Sequence, residues 1–155
     1  MNAINKLFTQ AFQDGKIFNR GSRAVICYHD RDTTAGRMNL PRTGYAEFPE
    51  VPLLHDKPTR RIALFHVSAV AVLLHPDRLA LSAQGWGGAP TTRNLLNAFL
   101  EAYQLPGHFH QKKGEFCYCE RPFDDRSVFV FDLLDRRLEA VALPNAKDFI
   151  LMEVD

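Results

Sequence analysis

The chain lacks the signatures that announce a chemistry. No lysine follows its glycine cluster, so there is no P-loop, and Gly85, Gly87 and Gly88 have the wrong spacing for a dinucleotide fingerprint. Cysteine is scarce. Three residues, Cys27, Cys117 and Cys119, cannot pair completely, and side chains two apart on a strand point the same way but rarely bridge. A disulfide framework is thereby excluded, and the reduced thiols of a cytosol are expected. No run approaches the ~20 apolar residues of a membrane span, and Met1-Asn2-Ala3-Ile4-Asn5-Lys6 has no apolar signal core, so the protein is expected to stay where it is made. Charge of one sign is also missing: a formal net charge of +1 gives no global field to draw in nucleic acid, and any such contact needs a local patch.

What is present suffices for an ordinary core. At 155 residues, 46% hydrophobic, the chain should bury roughly 70% of its unfolded surface as one domain, 1–155. Ile4, Leu7, Phe8, Ala11 and Phe12 recur at helical spacing, with Asn2 as cap and Gly15 as stop, predicting an amino-terminal helix. Ala24 to Tyr28 reads as a strand. The charged, proline-bearing region of about 30–60 reads as a long irregular insertion with one short strand near Tyr45 to Phe48. Ile62 to Leu74 supplies one or two strands, and His75-Pro76-Asp77-Arg78 turns the chain back into Leu79 to Ser82. Leu96, Phe99, Leu100 and Tyr103 lie at i, i+3, i+4 and i+7, predicting a central helix that starts at Thr91 or Thr92 and stops before Pro106-Gly107. Hairpins follow around Lys112-Lys113-Gly114 and Asp135-Arg136-Arg137, and Asp148 to Val154 reads as an edge strand. Helices among antiparallel hairpins make the class α+β: antiparallel β hairpins packed with an N-terminal helix and one central helix.

Three places carry candidate sites. Gln84-Gly85-Trp86-Gly87-Gly88-Ala89-Pro90 is a glycine elbow between a strand and the central helix. It places Trp86 beside the helix-start N–H groups of Thr92, Arg93 and Asn94, an arrangement that attracts anions. The plainer alternative is that the glycines turn the chain, Thr92 caps the helix and Trp86 plugs the core. In the second place, His108, His110, Cys117 and Cys119 share one face if Lys113-Gly114 are the central turn residues, because His110 then faces Cys117 and His108 faces Cys119. These are ligand types zinc prefers, though the i, i+2 spacing forces a wide bite; an ordinary hairpin with Phe109 and Tyr118 packed inward explains the same residues. No other cofactor is implied. Third, the first 61 residues are rich in arginine, Arg37 and Arg42 among them, interleaved with aromatics and diluted by acids. His29-Asp30-Arg31-Asp32 reads as a strand end with solvated charges rather than a hydrolase cluster.

Leu79-Ala80-Leu81, Gly85-Trp86, Thr91-Thr92-Arg93, Asn97 and Lys113-Gly114-Glu115-Phe116 follow one another as strand, elbow, helix and hairpin. Over about residues 70–120 this pattern resembles a group of small bacteriophage proteins of uncharacterised function. The chain departs from it by inserting Gly87-Gly88-Ala89-Pro90 and by its long amino-terminal region. The resemblance implies a viral origin and a host-cell cytoplasm; it supplies no catalytic residues. The expectation is a non-catalytic phage accessory protein that binds a host or viral macromolecule, such as a component of a host defence, with Trp86, Arg93, Arg37 and Arg42 as contact residues. Two other readings stay open, a small metal-dependent hydrolase or nuclease and a direct nucleic-acid binder.

Overall fold

The computed structural model describes residues 3–18, 25–33, 36–40, 44–48, 59–65, 68–74, 77–145 and 148–154. The first helix, α1 (Ala3–Asp14), buries Phe8 and Phe12, one turn apart. Both rings meet Phe99 edge to face, at centroid distances of 5.9 and 5.1 Å. Leu7 lies about 100° around the helix from Phe8 and stays 52% exposed, so the apolar stripe is narrower than its spacing predicts. Gly15, at φ 72°, ends the helix as expected: its N–H reaches the Phe12 carbonyl and the Lys16 N–H the Ala11 carbonyl, a Schellman motif. The Arg61 guanidinium donates to the Phe12 and Gln13 carbonyls, placing a cation at the negative end of the helix. The cap expected at Asn2 lies outside the described residues.

The main sheet is built from β1 (Val25–Thr33), β4 (Thr59–Phe65), β5 (Ser68–Leu74), β6 (Arg78–Leu81), β10 (Val128–Asp132), β11 (Arg137–Asn145) and β12 (Asp148–Glu153), side by side in that order. Every pairing along this path is antiparallel. Within the segment read as an irregular insertion, β2 (Gly36–Leu40) and β3 (Gly44–Phe48) form a hairpin, and β3 touches β5 at the parallel pair Glu47↔Ser68. The strand expected near Tyr45 to Phe48 is present as β3, and β2 beside it is a strand that composition does not announce; backbone pairing needs no alternation of side chains.

The second helix, α2 (Pro90–Ala102), begins earlier than predicted. Ala89 is its N-cap without a side-chain bond, Pro90 opens the first turn with its φ already set, and Thr92 lies inside the helix, 2% exposed. A second, three-stranded sheet follows from β7 (Phe109–Lys112), β8 (Glu115–Tyr118) and β9 (Arg121–Pro122). It packs on the first through aromatic contacts: Phe109 and Tyr118 lie 5.0 and 5.2 Å from the Phe129 ring. The resulting core is contiguous, running from Phe8 and Phe12 through Leu79, Leu81 and Phe99 to Phe109, Tyr118, Phe129 and Phe131. The architecture is α+β, with the amino-terminal and central helices set against antiparallel strands.

Candidate functional site: the glycine elbow and its neighbours

The elbow is a bonded structure from end to end. Gln84 and Gly85 take successive positive φ values of 51° and 88°, which reverses the chain after β6. Backbone bonds then close two turns, Trp86 N–H to Ala83 O at 2.9 Å and Ala89 N–H to Trp86 O at 3.0 Å. A loop distant in sequence holds the outside: the Asp125 carbonyl accepts from Gly85 N–H at 3.1 Å and its carboxylate from Gly87 N–H at 3.0 Å. Gly87 has to be glycine. A Cβ there would lie 2.6 Å from Asp125 Cβ and 2.8 Å from the Phe116 ring, whereas Gly88 has open space around it.

This geometry separates the residues expected to act together. Arg93 is half-buried, and its guanidinium donates to the Gly87 carbonyl at 2.7 Å, so its charge fastens helix to elbow. Its backbone N–H is bonded to Ala89 O, so Arg93 adds no free donor at the helix start. Trp86 is not a core plug; it is 57% exposed, carried outward by the loop those bonds hold. Arg37 lies on β2 opposite Glu47, and Arg42 lies outside the described residues.

The hairpin has the register that its turn residues predict. Lys113 and Gly114, at φ 52° and 81°, are the central pair, Lys112 faces Glu115 and His110 faces Cys117. The His108 and His110 rings lie side by side, 6.0 Å apart, on the face opposite Phe109 and Tyr118. The four expected zinc ligands do not converge, however. Cys119 leaves the strand at φ 54° and, with Glu120 at φ 50°, makes the tight turn into β9; its thiol is exposed while that of Cys117 is buried. Cys117 Sγ donates to Glu115 O, and His108 Nε2 is bonded to Asn97. Among the described residues no group of three or more histidines, cysteines or acids is placed to hold a metal ion.

Asn97 has a part that sequence reasoning did not assign. From α2 it reaches the backbone of Phe109, accepting from its N–H and donating to its carbonyl. Next to it, Tyr118 Oη donates to Pro106 O at 2.7 Å, and burial pushes its phenol well above the ordinary tyrosine range. Burial likewise pushes the Tyr103 phenol up, to about 12.

Compared with protein-family models, with characterised protein sequences and with solved structures, the chain matches none. Among the described residues no helix is long and apolar enough to cross a membrane.

Proposed function

We propose that this is a non-catalytic binding protein, a phage accessory domain that engages a host or viral protein through the elbow face centred on Trp86. One observation carries the reading. The Gly85 and Gly87 amides are bonded to Asp125 and the Arg93 guanidinium to the Gly87 carbonyl, and the elbow so held presents a large indole to solvent at 57% exposure. Tryptophan is enriched among the residues that dominate protein interfaces, because it buries much area and loses little side-chain freedom. The pre-formed loop lowers the ordering cost of binding further. The likeness of residues 70–120 to small phage proteins supports the same reading and adds a host-cell cytoplasm as the setting.

The test is capture from infected and uninfected host lysate on immobilised protein, comparing the natural chain with Trp86→Ala and with Arg37→Ala/Arg42→Ala. Loss of the same captured species with Trp86→Ala, at an unchanged melting temperature, is the expected result. Capture indifferent to Trp86 would remove the elbow face from the proposal.

A further inference from the structure

Asp125 ties two surface loops together, and each loop brings a side chain to the junction. Its carbonyl accepts from Gly85 N–H and its carboxylate from Gly87 N–H, so the residue between them, the exposed Trp86, is bracketed on both sides. The next residue along the second loop is Arg126. Its guanidinium lies flat over the Gly85 backbone: a Cβ built on Gly85 would meet Nη2, Cζ and Nε at 3.4, 3.5 and 3.7 Å. The guanidinium thus rests on the residue next to the indole. Arg126 is exposed, and among the described residues its side chain has no hydrogen bond, ion pair or ring contact, its backbone alone being bonded to Asp124 and Ser82. The other arginines with described side chains are all occupied: Arg61 by carbonyls of α1, Arg78 by three acids, Arg93 by Gly87, Arg121 by the Phe123 ring, Arg136 by Gln104 and Arg137 by Asp135.

We infer that Trp86 and Arg126 together receive an acidic protein segment, one that sets an aspartate or glutamate beside an apolar side chain; the inference rests on the binding reading above and names the partner's chemistry. A guanidinium presents parallel N–H donors whose spacing fits both oxygens of a carboxylate, and such charge-assisted pairs are about twice as strong as neutral ones. Its ordering cost is reduced here, because packing on Gly85 already narrows where the side chain sits. The indole supplies the apolar half, and tryptophan and arginine are among the side chains most enriched where interfaces hold. Nucleic acid fits worse. It is bound through several phosphates at once, whereas the cation presented here is Arg126, with Asp124 and Asp125 just before it in the chain. Those two carboxylates line a neighbouring cleft that neither Trp86 nor Arg126 lines, so a single acidic group is accommodated where a running polyanion meets repulsion.

Trp86 is the one tryptophan of the chain, so its fluorescence reports this face without labelling. The full chain is titrated with a twelve-residue peptide carrying glutamates next to leucines, with the same peptide bearing glutamine for glutamate, and with a twelve-nucleotide single-stranded DNA, each at two salt concentrations. A saturating change with the glutamate peptide, and an affinity roughly tenfold lower for the glutamine peptide, are expected. Arg126→Gln should abolish that preference at an unchanged melting temperature, and Arg126→Lys should keep only part of it, because the fork is lost. No fluorescence change, equal binding of the two peptides, or a preference that survives Arg126→Gln would overturn the inference. Tighter binding of the DNA, falling steeply with salt, would overturn it in favour of a nucleic-acid partner. The peptide pair is read on the natural chain alone, so the test stands whether or not a variant folds. Lysate capture keeps the two proposals apart: loss with Trp86→Ala but not with Arg126→Gln sinks the acidic segment alone, and indifference to both sinks the binding face as well.

Discussion

Asn97 serves Phe109 as a neighbouring strand would: its Oδ1 accepts from the Phe109 N–H at 2.7 Å and its Nδ2 donates to the Phe109 carbonyl at 2.8 Å. One side chain thereby satisfies the edge of β7 and fixes the small sheet to α2. Asn97→Ala leaves a donor and an acceptor without partners where Phe109 is 1% exposed. The expected loss is about 2 kcal/mol, measured by urea unfolding, with faster hydrogen exchange at the Phe109 amide. Asn97→Asp keeps the acceptor and should fall between the two. An alanine variant as stable as the natural chain would show that the pair of bonds adds nothing.

The two adjacent glycines of the elbow should respond oppositely to the same change. Gly87→Ala drives a methyl into Asp125 and Phe116 and is expected to cost about 1–3 kcal/mol. Gly88→Ala meets open space and should stay within about 0.5 kcal/mol. Thermal melts of the two variants decide it, and equal stabilities would contradict the close approach at Gly87.

Acid should weaken the turn between β10 and β11. Backbone donation from Asp135 holds the Asp132 carboxyl below its ordinary value, against an opposing effect of burial and with help from the Leu134 N–H and from Arg78 and Arg137. A carboxyl lowered in the folded state contributes stability that is complete above its unfolded pKa, near 3.9, and that disappears as pH falls through the folded value. Asp132→Asn retains an oxygen for the two N–H groups and loses the charge facing Arg78. The melting-temperature gap between the natural chain and this variant is therefore expected to be constant at neutral pH and to close below about pH 4. A gap that widens toward acid would reverse the assigned sign.

Chelation tests the hairpin. With Cys119 turned out of β8 and Cys117 buried, removal of metal by EDTA from tag-free protein should leave the melting temperature unchanged, and elemental analysis should give no stoichiometric zinc. A fall of several degrees on chelation would return zinc to His108, His110, Cys117 and Cys119.

The elements that follow from short-range rules were readable in the sequence. Lys113-Gly114 sets the β7–β8 register because a two-residue turn with both φ values positive favours glycine there, and Gly15 stops α1 for a related reason. The stripe of Leu96, Phe99 and Leu100 gives α2 its buried face. What escaped depends on distant partners. The elbow is held by Asp125, 38 residues away from Gly87, so local capping rules looked instead to Thr92, which the fold buries. The two-residue β9 contains Pro122 and has no periodicity to detect, and β2 pairs with β3 through backbone groups that composition does not report. Trp86 was expected either in the core or outside it, and the choice between them depended on the orientation of a loop that only those long-range bonds define.

Asp125 grips Gly85 and Gly87 with two different atoms, so the loops at 82–90 and 124–127 share a single clasp. Neither loop can open without loosening the other. A macromolecule that settles on the indole should therefore slow hydrogen exchange at Ser127, whose amide closes the second loop onto Asp124, even if it never touches that residue. Two surface segments far apart along the chain behave mechanically as one jaw.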